Sequence, residues 1–469
     1  MRLLYLIAII SQGFYFSSCV SQNSKKTNNV KPPRAKKLPH KLVENGNVRI
    51  DNYYWMNQWD NPDVLDYLNA ENTYTREMMK PLDSLKEKLF KEMKGRIKEN
   101  DESVPYFLNG YYYYTRYEEG KEYSIYARKK GNLEAPEELL IDGNKLAEGK
   151  SFFAVSDYGV SEDNKLLAYS TDTIGWRKYT LYFKNLETGK LFKETIANTT
   201  GTVVWANDNK TLFYERKDEA LRSYKIMKHA LGTDSKMDKL VFHETDETYS
   251  TYVYKSKSRK YLFVLSWSTL STEMRFLDAN NPDGDFKVIQ PREKNLEYYA
   301  MHKGDYFYIR TNLDAKNYRL LKTHVKSPGK ENWQEVIPHR SDVLLEEVEL
   351  FDNYYVLQEK NRGLNNLRVI SWDSKKDEYI EFNDPAYSVF IGTNPEFNTP
   401  ILRYVYNSLT TPQTTYDYNM SDGTQILMKQ QEIVGGFNAD DYQAERIMVT
   451  ARDGKKIPMS LVYKKGFNK

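Results

Sequence analysis

Apolar and polar positions alternate in three different ways along the chain. The first is a single apolar run, Leu3–Ile10, set between Met1-Arg2 and the small residues Ser17 and Ser18. A basic start, an apolar stretch and small residues in that order form a secretory signal. The run is shorter than the ~20 residues a membrane-spanning helix needs. The second texture is helical. Asn61-Pro62 supplies a cap and a first-turn proline, and Val64, Leu65, Leu68, Met78 and Met79 follow at roughly helical spacing. Pro81 interrupts, and Leu82, Leu85, Leu89, Phe90, Met93 and Ile97 then form one stripe of a second helix, ended by Asn100-Asp101.

The third texture begins at Pro105 and consists of short strands separated by polar turns. A recurring strand starts at Tyr111, Leu166, Thr211, Tyr261, Tyr306, Tyr354 and Ile401, at spacings of 45 to 55 residues. Each is followed by a partner: Ser124–Ala127, Thr180–Phe183, Tyr224–Met227, Glu273–Leu277, Arg319–Lys322, Leu367–Ile370 and Thr415–Tyr418. A period of ~40–50 residues with four short strands per unit is the mark of a β-propeller. Seven copies predict seven blades over 105–434. Gly435-Gly436 then reads as a linker. Ile447–Thr450 and Ile457–Tyr463 alternate as a hairpin around Arg452-Asp453-Gly454-Lys455. A lone hairpin is marginal in water, so 435–469 reads as the opening of a further domain.

Composition sharpens this picture in three places. Tyrosine is abundant at 39 residues, which favours pleated, half-buried strands. Net charge is only +3, and seven basic residues with no acidic one lie between Lys25 and Lys41, so the body has no excess positive charge for nucleic acid. Residues 19–48, polar and broken by Pro32, Pro33 and Pro39, read as an extended tether. The one cysteine, Cys19, excludes an intramolecular disulfide and a cysteine-based zinc site. It follows the apolar run where a bacterial lipoprotein signal places its acylated residue, so residues 1–18 read as the signal and Cys19 as the lipidation site. Phe16 stands where that signal usually has Leu. The expected location is the bacterial cell envelope, membrane-anchored on the periplasmic or outer-membrane side.

The residues suited to catalysis are sparse. No serine has glycine at both −2 and +2, so the sequence holds no Gly-x-Ser-x-Gly elbow. His40, His229, His243, His302, His324 and His339 are scattered and read as surface or packing histidines. Asp278, Asn280, Asp283 and Asp285 lack the spacing and final glutamate of a calcium loop and read as an inter-strand turn. No cofactor or metal is expected.

Several segments point to a family. Arg49–Trp55 (RIDNYYW), Tyr67–Thr75 (YLNAENTYT), Leu89–Tyr106 (LFKEMKGRIKENDESVPY), Leu166–Leu181 (LLAYSTDTIGWRKYTL), Trp333–Phe351 (WQEVIPHRSDVLLEEVELF) and Asp453–Gly466 (DGKKIPMSLVYKKG) resemble the oligopeptidase B branch of the prolyl oligopeptidase family of serine peptidases. The resemblance is spread in order over essentially the whole mature chain. It departs at Asn45, where the family often has His, and at Met56-Asn57, where Leu-Arg is usual. It implies an all-β, seven-bladed propeller preceded by a helical segment (49–104) and followed by an α/β-hydrolase domain. The C-terminal hairpin looks like the start of that domain. It also implies hydrolysis of short peptides after Lys or Arg by a Ser-Asp-His triad. That triad lies beyond Lys469, so no catalytic residue can be assigned here, and the substrate-binding residues are left open. The chain is then a substrate-gating propeller, inactive by itself. The alternative is a stand-alone envelope binding propeller without catalysis.

Overall fold

The computed structural model describes residues 31–467, so the signal, Cys19 and the start of the tether lie outside the described residues. Two compact units are present, divided after Arg96.

In the first unit, His40–Glu44 pairs antiparallel with Asn47–Asp51. Asn45 and Gly46 both take positive φ, 49° and 80°, as a two-residue hairpin turn requires. The hairpin occupies the end of the stretch read as tether. Helix α1 spans Pro62–Met79, with the Asn61 side chain accepting the Asp63 N–H at 3.0 Å and Pro62 in the first turn. Helix α2 spans Asp83–Lys94 and ends at Gly95, earlier than the apolar stripe suggests. Glycine disfavours helix continuation entropically, so Ile97 falls beyond it. Leu85, Leu89, Phe90 and Met93 are exposed.

The second unit is the propeller. Its strands at Tyr111, Leu166, Thr211, Tyr261, Tyr306, Tyr354 and Ile401 begin where the sequence period places them. The blade count differs from expectation. Five four-stranded blades are present, not seven. They cover Tyr106–Asp142, Ser250–Gln290, Tyr298–Ile337, Val343–Tyr379 and Tyr387–Gln430. The repeats starting at Leu166 and Thr211 are instead fused in one seven-stranded sheet from Ala154 to His243. The cause is the 15-residue strand Leu191–Trp205. Its first half pairs with Tyr179–Asn185 and its second with Thr211–Lys217, and Thr199 pairs with both Tyr179 and Arg216. This crossing is rich in β-branched residues and has no proline, so the strand runs on through register shifts between Ile196 and Val203 and joins the two repeats in one sheet.

Packing between sheets is aromatic and aliphatic. Phe263, Phe276 and Phe307 interlock edge-to-face, with ring centroids 4.9–5.8 Å apart. Val356, Leu402 and Tyr404 fill the interface between the last two sheets. The last sheet meets the start of the first through side chains. Arg403 donates to the Pro105 carbonyl at 2.7 Å, and Lys429 pairs with Asp101 at 2.7 Å. The terminal hairpin pairs Tyr442–Thr450 with Lys456–Lys464 and leaves Ile447, Val449, Ile457 and Met459 exposed.

Candidate functional site

The first strands of successive sheets converge on a cavity of about 720 Å³. They reach it from the sheet at Tyr106, from both halves of the seven-stranded sheet, and from the sheet at Ser250. Alternation along these strands sends every second side chain inward, which presents Tyr106, Tyr158, Trp205, Tyr252 and Tyr254 to the cavity. The Tyr106 and Tyr158 hydroxyls lie 3.3 Å apart, and the Trp205 indole donates to the Gly159 carbonyl at 2.9 Å. Burial raises the phenol pKa of Tyr106, Tyr158 and Tyr254, so these rings are neutral walls.

One end of the cavity is charged. The strand Ser250–Lys255 and the turn Ser256–Lys260 that follows it carry three cations of the lining, Lys255 at the strand end and Lys257 and Arg259 in the turn. Lys255 meets Glu162 at 2.5 Å and the Asn207 side chain at 2.9 Å, and Arg259 meets the other oxygen of Glu162 at 2.5 Å. Lys257 pairs with Glu349 and lies 3.5 Å from the Phe351 ring centroid. Glu349 belongs to a sheet that is not the sequential neighbour of the one carrying Lys257. The Lys257–Glu349 pair therefore links two sheets that are not sequential neighbours across the cavity lining. Burial lowers Lys255 and Lys257 and raises Glu349, with the opposing charge acting against it in each case. Ions held this way are costly to separate.

Asp157 stands apart in the same cavity. Its Oδ1 accepts the Tyr158 N–H at 2.8 Å, and the backbone N–H of Val203 also favours its charged form. Burial outweighs both and raises its pKa. Among the described residues it has no ion-pair partner.

The histidines are dispersed as the sequence suggested. His229 is fully buried beside Asp238, with 2.6 Å between Nδ1 and Oδ1, and stacks on Phe183. His40 stacks on Tyr54. One serine–histidine contact was not legible in the sequence, because its members belong to different repeats. His302 Nε2 donates to the Gly304 carbonyl at 2.8 Å, which leaves Nδ1 to accept the Ser258 hydroxyl at 2.7 Å. Burial lowers His302 to about 4, and a carbonyl rather than a carboxylate orients it, so the contact serves packing and lacks the third member of a triad. Asp278–Asp285 forms a turn in which Asp278 accepts the Asn280 N–H and Asp283 pairs with Lys228 at 2.7 Å. No cluster of three potential metal ligands occurs among the described residues. Nothing in sequence spacing marked Asp157, Glu162, Lys255, Lys257 or Glu349. The turn Lys255–Lys260 (KSKSRK) reads as an ordinary solvated turn until its partners are seen.

Residues 32–431 match the prolyl oligopeptidase N-terminal β-propeller domain. Dipeptidyl aminopeptidase BI of Pseudoxanthomonas mexicana is 41% identical, over 98% of this chain and 66% of its own length. Protease 2 of Moraxella lacunata is 30% identical, over 93% of this chain and 64% of its own. Among solved structures, oligopeptidase B from Leishmania major superposes with a TM-score of 0.86 at 30% identity, covering 94% of this chain and 66% of that one. The chain thus spans slightly less than two thirds of the relatives it matches. With a propeller domain model matching most of its residues and the same fold in a solved relative, the chain belongs to the prolyl oligopeptidase family.

Proposed function

We propose that this chain is the substrate-gating propeller of a serine peptidase that hydrolyses short peptides after Lys or Arg, through an acyl-enzyme formed in a hydrolase domain. The observation that carries the reading is the cavity lined by strands of several sheets, with the ion pairs of Glu162 and Glu349 in its lining. A space of about 720 Å³ accommodates a short extended peptide and excludes a folded protein. The propeller therefore selects by size, and the chemistry is carried by a hydrolase domain. The Lys/Arg preference rests on the likeness to oligopeptidase B and protease 2.

A second specificity has its own support. The relative at 41% identity is named a dipeptidyl aminopeptidase, which favours release of dipeptides from a free N-terminus. The two readings separate in one assay. The 469-residue chain should not cleave an arginyl reporter, because it has no nucleophile elbow. Joined to a hydrolase domain of the family, it should cleave an N-acetylated arginyl reporter if it serves an endopeptidase. It should cleave only the unblocked dipeptidyl reporter if it serves the exopeptidase. Turnover by the 469-residue chain alone, blocked by a serine-directed phosphonate, would overturn the proposal.

The signal and Cys19 support anchoring in the bacterial envelope by acyl chains, of which stable attachment needs more than one. Cys19→Ser should move the protein from the membrane fraction to the soluble fraction. Unchanged fractionation would exclude the anchor.

A further inference from the structure

We propose that this cavity binds the ammonium or guanidinium group of a short peptide, with Asp157 as counter-ion and the rings of Tyr106, Tyr158 and Tyr252 as walls. The inference rests on the peptidase reading above for the identity of the ligand as a peptide. Its support is a charge inventory of the cavity. Glu162 is satisfied by Lys255 and Arg259, and Glu349 by Lys257, each through an ion pair. Those cations are equally satisfied, so the charged end offers no free site for an anion. Asp157 is the remaining carboxylate of the lining, and its partners are backbone N–H groups.

The surroundings of Asp157 suit a cation. Tyr106 is close enough to feel its charge, and the register shift between Val155 and Tyr158 interrupts the alternation so that Asp157 and Tyr158 both line the cavity. Aromatic faces carry negative potential and attract ammonium and guanidinium groups, more strongly when water is excluded. A carboxylate half-buried without a counter-ion is held in an unfavourable state, which an incoming cation would relieve. A carboxylate inside the propeller would then hold one end of the peptide while the remainder extends towards the catalytic groups.

The test is a titration of the purified 469-residue chain, followed by Trp fluorescence because Trp205 lines the cavity. Three probes separate the sources of positive charge: acetyl-arginine amide carries only the guanidinium, alanyl-alanine amide only the α-ammonium, and acetyl-glutamine amide neither. At least one of the first two should bind, the third should not, and the one that binds identifies the group. Asp157→Asn, nearly isosteric, should weaken that binding about tenfold or more, the scale of a lost charge-assisted hydrogen bond. Equal binding by the variant, or binding of neither cation, overturns the proposal. A second measurement uses the unaltered chain and covers a variant that fails to fold. Carbodiimide coupling of an amine to Asp157, read by mass spectrometry, should be slowed by the bound cation, and an unchanged coupling rate also overturns the proposal. Either failure leaves the reporter assay to judge the peptidase reading separately.

Discussion

His302 shows how burial governs a single titratable group in this fold. It is 5% exposed, its ring lies 4.7 Å from that of Tyr261, and both ring nitrogens are engaged with neutral partners. Burial lowers its pKa from 6.5 to about 4, against the Gly304 carbonyl, which favours the charged ring; Lys260 and Lys303 also lower it, and Asp305 raises it. The unfolded chain therefore binds the extra proton first. Its stabilising effect is complete above pH ~6.5 and is lost as pH falls towards 4, to a limit of about 3 kcal/mol. Urea denaturation at pH 7.5 and pH 5 should show this loss, and His302→Gln should flatten the part of the slope due to this residue. A variant with the wild-type slope would mean that His302 does not titrate in this way. The same physics makes Asp157 notable, since it is a carboxylate in a comparable setting with only backbone partners.

At the scale of elements, the feature that most departs from a regular repeat is the strand Leu191–Trp205. It passes from one repeat to the next at Gly201, whose φ is 103°. A β-carbon there would stand 2.5 Å from the Ser156 hydroxyl oxygen and 3.1 Å from Tyr179. Only glycine meets both the backbone angle and the close approach. Gly201→Ala should therefore destabilise the chain by about 2 kcal/mol or more, combining positive-φ strain with a backbone shift. Thermal unfolding would measure it. As a control, Gly189→Ala has a similar backbone angle but no neighbour within 4 Å, so it should cost less. Equal losses at the two positions would deny the close contact its part.

Across the whole molecule, Lys257 and Glu349 link sheets that are not sequential neighbours. Their side chains are 17% and 21% exposed, whereas those of the Lys91–Glu87 pair are 73% and 67% exposed. Lys257→Ala leaves a buried carboxylate without its cation and should cost about 2 kcal/mol or more. Lys91→Ala should cost about 0.5 kcal/mol or less. Replacing both Lys257 and Glu349 by apolar residues should recover much of the loss, since the burial penalty disappears with the charges. Chemical denaturation of the three variants makes the comparison. Equal costs for the two lysines would mean that the cavity lining is not held by this pair.

The sequence by itself determined what depends on local pattern. Strand starts such as Leu166 and Tyr354, the cap at Asn61-Pro62 and the hairpin around Asp453-Gly454 follow from alternation, turn chemistry and helix-end rules, all written within a few residues. Family membership was legible because its segments lie in order along the chain. Only the tertiary structure decided how the repeats join and what they enclose. Whether Leu191–Trp205 breaks or runs on depends on hydrogen-bond partners on both sides of Thr199, more than a dozen residues away in each direction. The cavity was hidden for the same reason. Asp157, Glu162, Lys255 and Glu349 come from three different repeats, each looks like a solvated polar residue in its own segment, and their charges acquire meaning only when the sheets pack together and set them around one cavity.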